Sequence, residues 1–386
     1  MKKLVFGVIC CGMLFLSGCG QSPEENFNEA ESLYEAQNYD KAFKLYQKAA
    51  EQGHVKAIHS LAWCYNDGKG VKEDKAEAVK WWRKAAEQGY ANSQCSLGYS
   101  YNEGRGIEKD YKEAVKWYQK AAEQGHNGAQ NNLGTMYEFG QGVFQDKKEA
   151  LRWYLSAVEN GNNDYAVGNI GRLLKEQEKN EEAYAFYSLA SKNGSDHSGS
   201  MNYLKNYVSV GSAVELSKKL EDEFFNKECK GDAKTQFIIA EIYKDAENYK
   251  GAMQWYKKSA EKGYAEAQMG VADLYYYGRG VEEDRKEALK WHRKAAEGGM
   301  PQAQYTLGLK YFNGMGVKED KKEGAKWFLR AAYKGHLDAM CDIGLCYLRG
   351  DGVEKSYTEF VEWLGRAANQ DHARSKRILR NYGYGN

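Results

Sequence analysis

The sequence repeats with a period of 36 residues, and no other feature constrains its fold as strongly. Tryptophan marks the period in two runs, which are Trp81, Trp117 and Trp153, then Trp255, Trp291, Trp327 and Trp363. A fixed period of this length is typical of stacked supersecondary units, which bury their apolar faces against one another rather than in one globular core. Only two prolines occur in the 386 residues, so we expect the units to be helical.

Each complete unit predicts two helices joined by a glycine turn. In residues 129–161, the first helix carries an apolar stripe at helical spacing that includes Leu133 and Tyr137. We call it helix A. The glycines of Gly140–Val143 then break the helix and turn the chain. The second helix, helix B, begins after Asp146 and ends at a glycine, as is typical of helix C-termini.

The start of helix B is marked in each complete unit by a capping residue and a glutamate three positions later. The pairs are Asp74 with Glu77, Asp110 with Glu113, Asp146 with Glu149, Asp284 with Glu287, Asp320 with Glu323, and Ser356 with Glu359. This spacing predicts a capping box, in which each of the two side chains hydrogen-bonds the backbone N–H of the other residue. We therefore interpret these carboxylates as helix starts rather than as catalytic acids.

The complete units share the pattern Ala-x-x-x-Leu-Gly-x-x-Tyr-x-x-Gly-x-Gly-Val, followed by Asp-x-x-x-Ala-x-x-Trp-Tyr-x-x-Ala-x-x-x-Gly. This pattern resembles the Sel-like repeat family, a relative of the tetratricopeptide repeat. Six units carry it, at residues 57–89, 93–125, 129–161, 267–299, 303–335 and 339–371. The resemblance implies an all-α, right-handed superhelical solenoid of stacked antiparallel helix pairs, about nine to ten repeats in all. It also implies a protein or peptide partner, and we expect no catalytic residues, no metal and no cofactor.

The first nineteen residues predict a lipoprotein signal peptide. Two lysines precede the apolar run Leu4–Leu16, which is too short to span a bilayer as a permanent helix. The following Ser17-Gly18-Cys19 completes a resemblance to the bacterial lipobox, which implies that Cys19 is acylated and becomes the new N-terminus. Gly20 is not the aspartate of an inner-membrane retention signal. We therefore expect a lipid anchor in the bacterial cell envelope, at the outer membrane facing the periplasm, with residues 20–26 as a tether.

The repeat frame divides the remaining chain into three regions. Residues 27–162 form an N-terminal array, and residues 232–386 form a C-terminal array whose last residues cap its end. Residues 163–231 have lost the tryptophan and the Gly-x-Gly turn, so they predict degenerate tetratricopeptide-like repeats at which the stack bends or changes pitch. Residues 27–53 and 233–263 also lack the Gly-x-Gly turn, and they predict shorter units.

Motifs that could carry chemistry have plainer structural interpretations. The Gly-x-Gly-Val turn follows a helix rather than a strand, and it lacks the Lys-Ser/Thr of a phosphate loop. Ser259 and Lys262 match the Ser-x-x-Lys motif of serine acylases, but other units have alanine in place of the serine. The 55 basic residues nearly balance the 54 acidic ones, so the composition indicates no nucleic-acid surface.

Four histidines share one repeat position just after the end of helix B, namely His54, His126, His336 and His372. Other units fill this position with tyrosine, asparagine or methionine. A metal ligand would not be so readily replaced, which argues against a metal site.

The positions of helix A that lie outside the frame form the candidate binding surface. In the related tetratricopeptide superhelix, helix A lines the groove, and aromatic residues are enriched in binding hot spots. The candidates are Trp63 and Tyr99 in the N-terminal array and Asp273, Tyr276, Tyr277, Tyr305 and Phe312 in the C-terminal array. We expect the main site in the C-terminal array, where adjacent units would expose these aromatic rings.

Three functions are compatible with this pattern. The first is an envelope-anchored scaffold or adaptor for protein–protein interaction, and the second is a periplasmic immunity protein that binds a secreted toxin. The third is a penicillin-binding or β-lactam-hydrolysing enzyme, because some secreted members of the family are described in this way. Those members carry a regular cysteine pair in each repeat, whereas the cysteines after Cys19 have no regular spacing here. We therefore expect a binding protein without enzymatic activity.

Overall fold

The computed structural model describes residues 21–161, 163–192, 196–224 and 232–384, and these form 21 α-helices without a strand. The helices are α1 (Pro23–Glu35), α2 (Tyr39–Glu51), α3 (Val55–Asp67), α4 (Lys75–Glu87), α5 (Ala91–Glu103), α6 (Tyr111–Glu123), α7 (Asn127–Phe139), α8 (Lys147–Glu159), α9 (Asp164–Glu176), α10 (Asn180–Lys192), α11 (Ser198–Leu204), α12 (Val210–Phe224), α13 (Ala233–Asp245), α14 (Tyr249–Glu261), α15 (Ala265–Tyr277), α16 (Arg285–Glu297), α17 (Pro301–Asn313), α18 (Lys321–Tyr333), α19 (Leu337–Arg349), α20 (Tyr357–Ala368) and α21 (Ala373–Asn381). The predicted signal peptide over 1–19, with Cys19, lies outside the described residues.

Helices that follow one another along the chain pack together. Helix A of a complete unit, such as α17, packs against its own helix B, here α18, and α18 packs in turn against α19 of the next unit. Frame alanines such as Ala303 and Ala331 are fully buried in these contacts, where a small side chain allows two helices to approach closely. The predicted all-α solenoid of repeated helix pairs is confirmed.

The two glycines of the Gly-x-Gly turn serve different purposes. Gly350 ends α19 in the left-handed region, with φ of 78°, and its N–H donates to the carbonyl of Cys346. Gly352 lies against the preceding unit, since a methyl group there would come within 2.1 Å of the Lys321 carbonyl oxygen at the start of α18. The turn is therefore a contact between units as well as a connection between helices.

The N-cap aspartates act as predicted, but the expected capping boxes are incomplete. The Asp74 carboxylate accepts a hydrogen bond of 2.9 Å from the Glu77 N–H. The Asp74 N–H is already used, because it donates to the Tyr65 carbonyl at the end of helix A, 2.8 Å away. Glu77 pairs instead with Lys80 at 2.7 Å. The prediction of a reciprocal hydrogen bond from the glutamate side chain is therefore wrong. The same N–H bond to a helix A tyrosine recurs at Asp110, Asp146, Asp284, Asp320 and Ser356.

Three helix pairs use a shorter turn, in which a residue other than glycine adopts the left-handed region. Gln37 joins α1 to α2 with φ of 58°, Glu178 joins α9 to α10 with φ of 61°, and Glu247 joins α13 to α14 with φ of 54°. The units predicted to be shorter, residues 27–53 and 233–263, therefore do use a tighter turn.

The first helix begins earlier than the sequence suggests. Ser22 and Glu25 form a complete capping box, and Pro23 is the first residue of the helix. The buried Asn26 amide donates to the carbonyls of Gln21 and Ser22, at 2.9 and 3.0 Å. These bonds order the helix start, so residues 23–26 belong to α1, and the expectation of a tether over 20–26 is corrected there.

The described residues group into two compact parts of the molecule, each larger than a single repeat unit. We call them the first unit and the second unit. The first contains the residues up to Ala129 together with Gln141–Val143, and the second contains Gln130–Gly140 and the residues from Phe144 onward. Within the second, one apolar cluster extends from Ala150 to Trp291 and includes residues of α9 to α12. The region over 163–231 thus contributes to a continuous core although it has lost the repeat frame.

Helices that are distant along the chain also meet inside the second unit. Arg152 on α8 donates to the Ala246 carbonyl after α13, at 2.6 Å, and Lys148 forms an ion pair with Glu247. A contact that skips four helices departs from the nearest-neighbour order of the complete units. The degenerate helices α9 to α12 therefore lie, along the sequence, between two helix pairs that contact each other directly in space.

The tryptophans that mark the period lie on helix B. Five of them are buried, namely Trp117, Trp255, Trp291, Trp327 and Trp363. A basic side chain one turn later covers the ring. For example, Lys120 Nζ lies 4.2 Å from the centroid of Trp117, and Arg330 lies 4.4 Å from that of Trp327. The charged group of the basic residue therefore makes a cation–π contact with the ring.

Candidate interaction surface

In the first unit, Trp63 and Tyr99 are the exposed aromatic residues of helix A, each with 40% of its surface accessible. The Trp63 ring is held in place. Its Nε1–H donates to His59 Nε2 at 3.1 Å, and its ring contacts the Trp82 ring edge-on at 5.1 Å between centroids. Burial lowers the pKa of His59 to about 4, so this histidine is neutral and can accept the bond. Trp63 is therefore an oriented aromatic surface rather than a free side chain.

In the second unit, Tyr276 and Tyr277 lie side by side at the end of α15. Their rings meet edge to face with centroids 5.0 Å apart. Tyr277 is 61% exposed, and the guanidinium of Arg279 lies 5.2 Å from its ring centroid. Tyr276 is half-buried beneath Lys310 of α17, whose Nζ lies 4.5 Å from the ring centroid. The structure thus brings these two predicted residues together at one surface.

The other two aromatic candidates are partly enclosed, so the expectation that all four rings are exposed is corrected. Tyr305 stacks on His336 with centroids 4.5 Å apart, and its hydroxyl donates to Asp342 at 2.9 Å. Phe312 packs on Phe328, with centroids 5.6 Å apart. Both rings border the apolar cluster of α18 to α20. Each of them therefore contributes to packing between units.

Beside Phe312 lies a recess of about 210 Å³ between α17 and α19. Asp342 lines this recess. Its carboxylate forms an ion pair with Arg374 of α21 at 2.8 Å and also accepts the hydrogen bond from the Tyr305 hydroxyl. Sequence reasoning did not single out Asp342 or Arg374. Their spacing carries no motif, and only the stacking of α17, α19 and α21 brings them to one place.

Asp273 lies on α15, where its side chain is partly surrounded by protein but still reached by water. Its side chain is 56% exposed, yet the surrounding protein desolvates the carboxyl and raises its pKa. Its Oδ1 lies 3.7 Å from Nε2 of the buried His292 on α16. Asp273 therefore joins Tyr276 and Lys310 along one side of the second unit.

Three of the four histidines that share a repeat position act as helix caps, namely His54, His126 and His336. Nδ1 of His54 accepts a hydrogen bond from the Ala57 N–H at 3.1 Å, and Nδ1 of His336 accepts one from the Ala339 N–H at 3.2 Å. Histidine therefore satisfies a free N–H at the start of helix A. Among the described residues, no group of three or more His, Cys, Asp or Glu side chains could hold a metal ion.

The serine of the Ser-x-x-Lys match and three of the described cysteines lie in environments that do not favour nucleophilic chemistry. The Ser259 hydroxyl is fully buried and donates to the Ala233 carbonyl at 2.6 Å. Burial raises the pKa of the Cys64, Cys95 and Cys346 thiols to about 12, which disfavours the reactive thiolates.

In residues 21–161, 163–192, 196–224 and 232–384, we find no helix of the length and apolarity that crossing a membrane requires.

Comparison with known proteins agrees with the geometry of the repeat. The family model described as Sel1 repeat matches nine segments of the chain. They are residues 31–54, 55–90, 91–126, 128–162, 171–195, 244–264, 265–300, 301–336 and 337–372. No curated protein matches the chain.

Solved structures of similar proteins include a protective antigen present in uropathogenic Escherichia coli strains, which displays an SLR fold. It is 30% identical, the match covers 94% of this chain and 80% of that chain, and the TM-score is 0.45. A Sel1 repeat protein from Oxalobacter formigenes is 26% identical over 95% of both chains, with a TM-score of 0.42. An immunity protein from Pseudomonas aeruginosa is 16% identical over 64% of this chain and 81% of that chain, with a TM-score of 0.24.

The family model accounts for the units that the tryptophan period marks and for part of the degenerate region, at 171–195. Proteins with this repeat typically mediate protein–protein interactions, and their solenoid is typically a scaffold without enzymatic activity. Because the family model matches nine segments that together make up more than half of the chain, the chain belongs to the Sel1-repeat family.

Proposed function

We propose that this protein is an envelope-anchored scaffold or adaptor that binds a protein partner through the exposed aromatic residues of helix A. One observation carries the proposal: Trp63, Tyr99 and Tyr277 keep 40%, 40% and 61% of their surfaces in water. Large aromatic side chains bury much apolar area when a partner covers them, and they are enriched among binding hot spots.

The anchor is the second part of the proposal. The apolar run before Cys19 and the resemblance of Leu16–Cys19 to a lipobox support acylation of Cys19. Acyl chains on this residue would tether the repeats to a membrane without a spanning helix. The proposed location is the outer membrane of a bacterial envelope, with the repeats in the periplasm.

A variant pair tests whether the α15 surface binds the partner. The double variant Tyr276→Ala, Tyr277→Ala removes both rings, and Phe144→Ala removes a fully exposed phenylalanine from a Gly-x-Gly turn as the matched control. Partners are captured by crosslinking in native membranes, identified by mass spectrometry and then purified. We expect the double variant to weaken binding of the purified partner by roughly 30-fold or more, the effect of a hot spot of about 2 kcal/mol. Phe144→Ala should bind as the wild type does.

Full-strength binding by a double variant with wild-type helicity and melting would refute the α15 surface. The matching change in the first unit, Trp63→Ala with Tyr99→Ala, would then be tested. A secreted toxin recovered as the partner would instead favour the alternative function of a periplasmic immunity protein.

A further inference from the structure

One junction of the second unit carries lysine, aspartate and histidine at positions where the other complete repeats have none of these residues. Lys310 occupies a helix A position at which the other complete units have Cys64, Ser100, Met136, Leu274 and Cys346, all of them buried. Lys310 is itself only 7% exposed. A buried lysine at a position that accepts small or apolar side chains is costly unless its charge has a partner.

The Asp273 carboxylate favours the ammonium form of Lys310, but this attraction offsets the effect of burial only in part. Lys310 Nζ lies over the Tyr276 ring, 4.5 Å from the centroid, and the guanidinium of Arg285 lies 5.7 Å from the same centroid. Within the described ranges, no carboxylate oxygen comes within 4.0 Å of Lys310 Nζ, and no protein acceptor takes a hydrogen bond from it. Burial lowers the pKa of this ammonium group. Two cations therefore share one aromatic ring, and the buried cation has unused donors.

Two acceptors, on Asp273 and His292, lie near Lys310. His292 replaces the second aromatic residue of helix B, which is Phe328 in the next unit, and it is 3% exposed. Its Nδ1 lies 2.9 Å from the Ala288 carbonyl, so Nδ1 carries the proton and Nε2 is an acceptor. Nε2 faces Asp273 Oδ1 at 3.7 Å. Two acceptors that face each other at this distance can share one N–H donor from outside the protein.

The turn after α17 also lacks a contact that the turns of other repeats make. The second glycine of the turn normally lies on the preceding helix B, as Gly352 does, whereas a methyl group on Gly316 would meet no atom within 4 Å. Water reaches Asp273, which is 56% exposed. A bound segment can therefore reach the cluster from the Asp273 side.

We propose that the cluster formed by Asp273, Tyr276, His292 and Lys310 binds an acidic side chain of a partner peptide. Lys310 donates to the carboxylate, and the facing acceptors Asp273 and His292 take a peptide N–H beside it. A singly charged carboxylate fits better than a phosphate dianion, because the Asp273 carboxylate opposes a second negative charge. This inference rests on the proposed function, since it names the chemistry that the α15 surface recognises.

The test uses two blocked tripeptides, acetylated and amidated Ala-Glu-Ala and Ala-Gln-Ala, with the full chain labelled at its lysine side chains for NMR. The Lys310 resonance is assigned by its absence from Lys310→Met. Methionine fits this position because Met136 occupies it in another unit, so we expect the variant to fold. A hydrogen bond to a charged group is stronger than one between neutral groups. We therefore expect the glutamate peptide to shift the Lys310 resonance and to bind at least about tenfold more tightly than the glutamine peptide.

Lys257→Met is the matched control. Lys257 also lies over a tyrosine of α15, with Nζ 5.3 Å from the Tyr275 centroid, but it donates to the Tyr275 hydroxyl at 3.0 Å. This variant should keep the preference for glutamate, whereas Lys310→Met should bind the two peptides equally.

Equal binding of the two peptides by the wild type would overturn the acidic-ligand site and leave the α15 surface as a peptide-binding surface. A glutamate preference that survives in Lys310→Met would place the charge recognition elsewhere and also overturn it. The absence of any shift of the Lys310 resonance would do the same. None of these outcomes decides the proposed function, because that is tested separately with the native partner and the tyrosine variants.

Discussion

Replacing Gly352 or Gly316 with alanine separates the packing of the Gly-x-Gly turn from its backbone conformation. The two glycines occupy the same repeat position in neighbouring units and have nearly the same φ, 74° and 77°. A methyl group on Gly352 would lie 2.1 Å from the Lys321 carbonyl oxygen and 2.4 Å from its carbonyl carbon, whereas one on Gly316 would meet no atom within 4 Å. The two variants therefore share a conformational cost, and only Gly352→Ala adds a steric one.

The magnitudes follow from these two costs. An alanine in the left-handed region costs about 1–2 kcal/mol. Loss of the flexibility of glycine in the unfolded chain offsets about 0.4–1 kcal/mol of this. Gly316→Ala should therefore lower the free energy of unfolding by about 1 kcal/mol. In Gly352→Ala the clash is with backbone, which cannot rotate away, and overpacking of this kind adds about 1–3 kcal/mol. We expect a total loss of about 2–4 kcal/mol for Gly352→Ala.

Native-state hydrogen exchange is the suitable assay, because a long repeat array opens locally and need not unfold in one step. The relevant amides are those of α18 to α20, measured in both variants and in the wild type. We expect these amides to exchange roughly 5- to 150-fold faster in Gly352→Ala than in Gly316→Ala, which is the 1–3 kcal/mol difference converted at about 1.36 kcal/mol per tenfold. Equal protection in the two variants would refute the reasoning, since it would show that the contact between turn and helix contributes nothing to stability.

Three further predictions concern the core, the pH dependence and the anchor. Trp117→Ala removes a buried ring and should cost about 3–5 kcal/mol; a melting temperature close to that of the wild type would contradict this. Burial lowers the pKa of His292 to about 4, so the neutral side chain stabilises the fold fully above its unfolded pKa of about 6.5, and this contribution is lost as the pH falls towards 4. His292→Phe should therefore lose less stability than the wild type between about pH 7 and about pH 4.5, measured by urea unfolding. Cys19→Ala should release the protein from membranes, and its retention in the membrane fraction after a salt wash would argue against the lipid anchor.

Local sequence signals predicted the helices and their turns well. Leu133 and Tyr137 follow the helical period, and α7 does extend over Asn127–Phe139. The capping role of Asp146 was also predictable, because its carboxylate accepts hydrogen bonds from the N–H groups of the next residues in the chain. Such features depend on residues within one helical turn of each other, so spacing along the sequence is sufficient to find them.

The capping boxes show where local reasoning failed. The Ser22–Glu25 box forms in full, whereas Asp74 and Glu77 have the same spacing and form only half of one. The difference is the Tyr65 carbonyl, which takes the Asp74 N–H from the preceding helix. Nothing in the spacing of Asp74 and Glu77 reveals that competitor, because it depends on how the Gly-x-Gly turn returns the chain to the end of helix A.

Spacing along the chain was enough to predict an array of helix pairs with glycine turns and capped helix starts, because a repeated local pattern produces the same local structure in each repeat. Which helix A side chains face water could be read only from the packing of the helices. Tyr305 is enclosed because Phe328 and His336 lie against its ring, whereas Tyr277, also on helix A, remains 61% exposed. Exposure depends on the side chains that a neighbouring helix presents, and those are set by packing between helices rather than by spacing along one of them.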